Sequence, residues 1–180
     1  DLNRLGGFGR YRDVDGDGIP YRTLPGTDHP KAAYFTRGSG HNEDARYTER
    51  PEDFKNLLDR LGRKFETARK HVPAPQIVAN GTSKVGIIAY GTSDYAVLES
   101  RDQLKKEFGV ATDYLRIRAY PFAKEIHDFV ASHDRIYVVE QNRDAQMLSL
   151  LKLDLPAKQV VKLRSILHYN GLPIDARSVT

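Results

Sequence analysis

The pattern of apolar and polar positions changes at residues 73–75, where Pro73 and Pro75 interrupt any regular element. Beyond that point, short apolar runs alternate with helical periodicities. The predicted strands are 85–90, 114–118, 135–140 and 163–167. The predicted helices are 94–108 with Gly109 as its C-terminal stop, a helix opening at Pro121, and 143–153. Strands separated by such helices predict right-handed crossovers and a mostly parallel sheet.

The strand at 114–118 alternates leucine and isoleucine with arginine, so we predict that it is half-buried or at an edge. The stretch before Pro73 carries one strong helical periodicity, over residues 51–72. Its apolar stripe consists of Phe54, Leu57, Leu58, Leu61, Phe65 and Val72. Pro51 suits the first helical position, and acidic residues at the start with basic residues at the end favour the helix dipole.

Residues 1–50 lack such periodicity and are rich in glycine turn signals, including the pair Gly38 and Gly40. They are too many for a simple loop, so we predict an arm ordered by packing against another surface. The pattern therefore predicts an irregular arm and a long helix over 1–72. It predicts a three-layer α/β domain with a mostly parallel sheet over 73–180.

Polar side chains follow the strand at 135–140. Glu140, Gln141 and Asn142 stand at its carboxyl end, and Gln146 follows. Open α/β sheets bind ligands at the carboxyl ends of their strands, so this cluster is a candidate cleft or interface. Two interpretations stay open. Asn142 caps the next helix while Glu140 satisfies backbone N–H groups, or the cluster contacts a ligand or a neighbouring domain.

A second candidate is the turn Gly91-Thr92-Ser93, which follows a buried strand and opens a helix. Such a turn can present backbone N–H groups to an anion. Asp94 already supplies negative charge there and no lysine follows, so helix capping by Thr92 or Ser93 is the favoured interpretation. The anion site would make this chain a free-standing binding module.

Carboxylates alternate at Asp13, Asp15 and Asp17, with Gly18 at the sixth position, as in a calcium loop. The twelfth position is Leu24 instead of the expected glutamate, so tight Asp-Gly turns are the favoured interpretation. Gly16-Asp17-Gly18 also echoes a diphosphate-binding signature, without the strand and helix that should flank it.

His41 and Glu43 form a further candidate pair in an irregular segment, where a structural hydrogen bond is the commoner role. No nucleophile motif and no zinc spacing occur in the sequence, so we predict no metal site and no catalytic residue.

The composition excludes several classes of function and of bound group. The 180 residues carry a net charge of +4 with no lysine or arginine block, which argues against nucleic-acid binding. Cysteine is absent, which excludes disulfides, thiolate catalysis and an iron–sulfur cluster held by these residues. No apolar run approaches the ~20 residues that span a bilayer, and no signal peptide is visible. We expect a cytoplasmic protein without a membrane partner.

Several motifs carry a family resemblance through their order and spacing. They are residues 8–11, 17–19, 24–26, 40–43, 63–64, 85–91, 138–142 and Gln146. Together they resemble the C-terminal part of the alpha subunit of 2-oxoacid:ferredoxin oxidoreductases, of the 2-oxoglutarate type. The resemblance implies that 1–72 link a pyrimidine-binding domain to 73–180, which would resemble the C-terminal domain of transketolases.

The resemblance also implies a complex that converts a 2-oxoacid and coenzyme A into an acyl-CoA and CO2 and reduces ferredoxin. That complex would use thiamine diphosphate, Mg2+ and an iron–sulfur cluster, with diphosphate and metal held by the beta subunit. The expected partners are therefore the beta subunit and, through the complex, ferredoxin. This chain would supply a structural and subunit-interaction domain, would bind no cofactor alone and would be inactive alone.

Overall fold

The structure, a computed structural model, describes residues 6–34, 40–79 and 81–180. The chain divides into two compact units, Asp1–His71 and Val72–Thr180. The predicted turn at Gly38 lies outside the described residues. None of the helices in the described ranges has the length and apolar character needed to cross a membrane.

The first unit contains the helix α1 (Pro51–Ala68) and is otherwise irregular over its described residues. The helix begins at the predicted proline and ends four residues before the predicted end at Val72. Its buried residue is Arg60, whereas Phe54 is 52% exposed and Leu58 is 50% exposed. The apolar stripe is therefore not the face that this unit buries.

The second unit is built on a five-stranded sheet. Its strands are β1 (Gln76–Val78), β2 (Val85–Tyr90), β3 (Asp113–Ile117), β4 (Arg135–Glu140) and β5 (Leu163–Leu167). Their order in the sheet is β1-β3-β2-β4-β5. β1 is antiparallel to β3 and all the other neighbours are parallel. The predicted α/β fold with a mostly parallel sheet is confirmed.

Four helices connect or follow the strands. They are α2 (Ser93–Phe108), α3 (Lys124–Ser132), α4 (Gln146–Asp154) and α5 (Ala157–Val160). Gly109 ends α2 with a φ of 68°, as predicted from its position. α3 and α4 each begin three residues later than predicted, and the short α5 was not predicted.

The core lies on both faces of the sheet, which gives three layers. On one face Ile88 packs with Phe129 of α3 and Leu151 of α4. On the other, Ile87 packs with Val97 of α2 and with residues from the C-terminal segment. The prediction of a half-buried or edge strand is wrong for β3, because β1 pairs alongside it and four of its five residues are buried.

Candidate functional site

Glu140 ends β4 with a fully buried side chain, 0% exposed. One carboxylate oxygen, Oε2, accepts hydrogen bonds from the backbone N–H of Met147 at 2.7 Å and from Asn142 Nδ2 at 2.9 Å. The other, Oε1, accepts the backbone N–H of Leu148 at 3.0 Å. Because these N–H groups belong to the first turn of α4, Glu140 caps that helix from the neighbouring strand.

Asn142 completes the cap. Its Oδ1 accepts the backbone N–H of Gln146 at 3.2 Å, and its Nδ2 lies 3.4 Å from the hydroxyl of Tyr90. The first three N–H groups of α4 are thus bound by side chains from the end of β4. The geometry favours the capping interpretation of this cluster, and a contact between it and a neighbouring chain stays a prediction.

Tyr90 was not among the candidates, yet it belongs to this cluster. It ends β2, which pairs in parallel with β4, so its hydroxyl lies beside Glu140 and Asn142. Burial and the negative charge of Glu140 raise the pKa of Tyr90, while the Asn142 hydrogen bond opposes the rise. Tyr90 therefore stays a neutral phenol at neutral pH. Its signal in the sequence was its position at the carboxyl end of a strand.

Gln141 joins three segments of the second unit. Its Nε2 donates to the hydroxyl oxygens of Thr92 and Ser93, both at 3.1 Å. Its Oε1 lies 3.4 Å from the backbone nitrogen of Ile174. The two hydroxyls of the candidate anion turn are therefore already engaged by a neighbouring amide.

The N-terminus of α2 also holds a carboxylate of its own. Asp94 accepts the hydroxyl of Tyr114 at 2.8 Å and pairs with Arg116 at 3.1 Å. Burial and the bond to Asp94 raise the pKa of Tyr114 far above its usual range, so that group donates and does not ionise. With Asp94 in its first turn, the helix has its negative charge supplied, and the turn at Gly91 is poorly suited to a further anion.

His41 and Glu43 lie in the first unit, and both contact Tyr11. The His41 ring stacks on Tyr11 with centroids 3.9 Å apart. The carboxylate of Glu43 is exposed and lies 3.7 Å from Arg12, while its backbone oxygen accepts the N–H of Tyr11 at 2.9 Å. The arrangement holds the segment around His41 against the segment around Tyr11, and a functional role for His41 or Glu43 stays a prediction.

The alternating carboxylates of the first unit bind protein donors. Asp13 accepts two bonds from Arg63, at 2.8 and 3.0 Å. Asp15 accepts the hydroxyl of Tyr21 at 2.9 Å, and Asp17 accepts the N–H of Ile19 at 2.8 Å.

The turn that carries these carboxylates lies against α1. Arg60 donates to the oxygen of Gly18 at 3.0 Å, and Thr67 donates to the oxygen of Asp17 at 2.6 Å. No group of three or more metal-ligating side chains occurs within residues 6–34, 40–79 and 81–180. These residues therefore do not fit a magnesium–diphosphate site, and the sequence offers no thiolate for an iron–sulfur cluster.

No family model matches the chain. The 2-oxoacid:ferredoxin oxidoreductase subunit alpha of Saccharolobus solfataricus is 29% identical over 168 residues, covering 90% of this chain and 25% of that protein. The subunit alpha of 2-oxoacid:ferredoxin oxidoreductase 1 of Sulfurisphaera tokodaii is 28% identical over 162 residues, covering 87% and 24%. The chain is similar to the alpha subunits of these oxidoreductases. The predicted resemblance is confirmed, and the chain spans about a quarter of the length of these relatives.

A solved structure shares the fold. It is the 2-oxoglutarate:ferredoxin oxidoreductase from Magnetococcus marinus, with 2-oxoglutarate, coenzyme A and succinyl-CoA bound. The match covers 96% of this chain and 29% of that chain, with a TM-score of 0.79 and 20% sequence identity. At 20% identity this similarity supports the fold of the chain and gives no information on its ligands.

Proposed function

We propose that this chain is part of the alpha subunit of a thiamine-diphosphate-dependent 2-oxoacid:ferredoxin oxidoreductase. The reaction would convert a 2-oxoacid and coenzyme A into an acyl-CoA and CO2, with reduction of ferredoxin. The observation that carries the proposal is the similarity to alpha subunits over 90% of the chain. The 2-oxoglutarate type stays a prediction from the sequence motifs.

Within that enzyme, the chain supplies a structural and subunit-interaction domain and not a complete active site. Three observations support this role. The carboxylate of Glu140 caps α4. The hydroxyl oxygens of Thr92 and Ser93 accept hydrogen bonds from Gln141. The carboxylates of the first unit accept hydrogen bonds from protein donors. Each of these groups thus already has a protein partner, which favours a structural role over a catalytic one.

The cofactors and partners of the complex are part of the same proposal. Thiamine diphosphate, Mg2+ and iron–sulfur clusters would be held by other parts of the enzyme. Electrons would leave through residues outside these 180, which contain no cysteine. The beta subunit is the direct partner, ferredoxin is reached through the complex, and the assembly works in the cytoplasm.

Co-expression tests the proposal. The coding sequence that contains these residues is expressed with the beta subunit, and the purified material is assayed for reduction of ferredoxin that depends on both a 2-oxoacid and coenzyme A. We expect the two chains to co-purify and to turn over, and the 180 residues alone to be inactive. Turnover by the isolated 180 residues would contradict the structural role, and failure to co-purify would contradict membership of the complex.

The alternative function, a free-standing module that binds a small anion at Gly91, Thr92 and Ser93, has its own test. Calorimetric titration of the 180 residues with inorganic phosphate should show no binding. Saturable binding that is lost in a Thr92→Ala variant would favour the alternative.

A further inference from the structure

The exposed face of α1 forms one wall of an open groove, which we call the α1 groove. It has a volume of about 950 Å3 and lies wholly within the first unit. Phe54, Leu58 and Leu61 supply its apolar wall, and Arg10, Arg60 and Lys64 are among its basic residues. The groove thus combines an apolar strip with positive charge.

The apolar wall has helical spacing. Phe54, Leu58 and Leu61 stand at i, i+4 and i+7, which extends over about 10 Å of helix. They are 52%, 50% and 38% exposed. Three large apolar side chains in one exposed row are typical of a surface that another polypeptide covers. The spacing matches the anchor positions through which amphipathic helices pack against each other.

The polar part of the groove is basic. Arg10, Arg22, Arg60 and Lys64 line it, and no aspartate or glutamate stands among the described residues that form its walls. Charges of one sign in a concave surface raise the local concentration of the opposite sign. An occupant with carboxylates would therefore be favoured over a neutral or basic one.

Arg60 is the deepest of these cations, with only 7% of its surface exposed. It donates to the backbone oxygen of Gly18 at 3.0 Å and lies 5.6 Å from the centre of the Tyr11 ring. Burial lowers the pKa of Arg60, while the negative charge of Asp13 opposes that effect. Asp13, however, already accepts both bonds that Arg63 offers it. Asp13 is thus bonded to Arg63 and acts on Arg60 through its negative charge, and a carboxylate of a bound segment would add to that effect.

We propose that the α1 groove docks an acidic amphipathic segment of another polypeptide of the oxidoreductase complex. This inference rests on the proposed function and names where a partner binds. The apolar side of the segment covers Phe54 and Leu58, and its carboxylates face Arg60 and Lys64. A symmetric contact between two copies would bring basic groove against basic groove, which is unfavourable. A small anion would leave the apolar wall uncovered.

Photo-crosslinking in the assembled complex tests this directly. The photoreactive residue p-benzoylphenylalanine is placed at Leu58, the complex is irradiated, and the crosslinked peptide is sequenced. We expect an adduct on a segment of another polypeptide in which acidic residues accompany apolar ones at helical spacing. An adduct on a second copy, on the same polypeptide or on a basic segment would overturn the inference, and so would the absence of any adduct. The matched control places the same residue at Leu153, which is 86% exposed on α4 and should not crosslink to that segment.

Charge reversal gives a second readout. A double Arg22→Glu and Lys64→Glu variant changes two exposed groove cations, and we expect it to weaken binding of the partner about tenfold, with a reduced dependence on salt. The control variant, Lys152→Glu with Lys158→Glu, makes the same change in net charge on α4 and α5 and should bind as the unchanged protein does. Equal weakening by both variants, or by neither, would overturn the inference.

The two proposals fail in different ways. If the unchanged complex turns over a 2-oxoacid but the adduct from Leu58 lies elsewhere, the docking inference is wrong and the proposed function stands. If no beta subunit co-purifies, the proposed function is wrong, and the docking inference falls with it.

Discussion

The carboxylate of Glu140 lies 2.7 Å from the backbone nitrogen of Met147, seven residues further along the chain. The same carboxylate accepts the next N–H, that of Leu148, so the end of one strand fixes the start of the following helix. A charged side chain in this position is buried because its lone pairs are used. The polar cluster at the end of β4 thus connects β4 to α4 inside the α/β domain.

Removing the charge at this joint should destabilise the domain. In Glu140→Gln the amide oxygen can still accept one of the two backbone N–H groups, from Met147 or Leu148. The amide NH2 then faces the other N–H, so that two donors oppose each other. We expect a loss of about 2–4 kcal/mol in the free energy of unfolding, measured by urea denaturation of the 180-residue chain. Glu125→Gln is the matched control, because Glu125 is exposed in the first turn of α3 and should cost less than about 1 kcal/mol. Equal losses in both variants would contradict the cap.

Gly18 should tolerate no side chain. Its φ is +83°, and an added Cβ atom would overlap the backbone nitrogen of Lys64 and lie 2.7 Å from the oxygen of Arg60. Gly18→Ala should therefore separate the turn from α1 and abolish protection of α1 amides from hydrogen exchange. Gly16→Ala is the control, since Gly16 also has a positive φ, +75°, but has nothing within 4 Å. It should cost only the strain of the backbone, about 1 kcal/mol. Normal protection of α1 in Gly18→Ala would refute this packing.

The strands of the sheet show which elements the sequence could predict and which it could not. The strands β2, β4 and β5 lie at the predicted bounds, because continuous apolar runs with β-branched residues are strong local signals. β1 was missed because three exposed residues after two prolines carry no periodicity. Its formation depends on pairing with β3, which is distant in the sequence.

The late start of α4 has a similar cause. The residues before it form the cap and are not helical. Ala145 has a positive φ of 50°, which alanine rarely adopts and which its residue type therefore does not predict. The polar cluster itself could be predicted from its position directly after a continuous apolar strand. Its partners could not, since the bond from Gln141 to the segment at Ile174 spans 33 residues. For α1, the sequence predicted an apolar stripe correctly as a pattern, but not that the unit would bury Arg60 instead.

Acid should weaken the first unit through Asp13. Burial opposes its ionisation, but the hydrogen bonds from Arg63 and from the Gly18 N–H outweigh it, so the pKa of Asp13 lies below its usual value of 3.8. A carboxyl whose pKa falls on folding stabilises the fold above its usual pKa, and that stabilisation is lost as the pH falls through the lower, folded value. The free energy of unfolding of the unchanged chain should therefore decrease as the pH is lowered from about 4 toward 2.

The variant Asp13→Asn isolates this effect. It should be less stable than the unchanged chain at neutral pH, and its stability should fall less steeply below pH 4, as followed by denaturation at a series of pH values. Asp28→Asn, at an exposed position, is the control and should keep the slope of the unchanged chain. A parallel slope for Asp13→Asn would show that the pair with Arg63 contributes nothing to stability.

Gln141 should hold the C-terminal segment in place. Its side chain connects Thr92 and Ser93 to the N–H of Ile174, and Ile174 packs in the core. Gln141→Ala should increase hydrogen exchange at the amide of Ile174 and cost about 1 kcal/mol of stability. Gln76→Ala, at the exposed edge strand, should leave that amide unchanged. Unchanged exchange in Gln141→Ala would mean that core packing alone fixes the segment.

The most direct test of the structural role is the turnover number of the assembled complex carrying Glu140→Gln, measured with saturating 2-oxoacid, coenzyme A and ferredoxin, beside its melting temperature. A cap predicts a lower melting temperature and a kcat within about twofold of the unchanged complex at a temperature where both are folded. A kcat that falls a hundredfold or more with the melting temperature unchanged would place Glu140 in the chemistry and contradict this account.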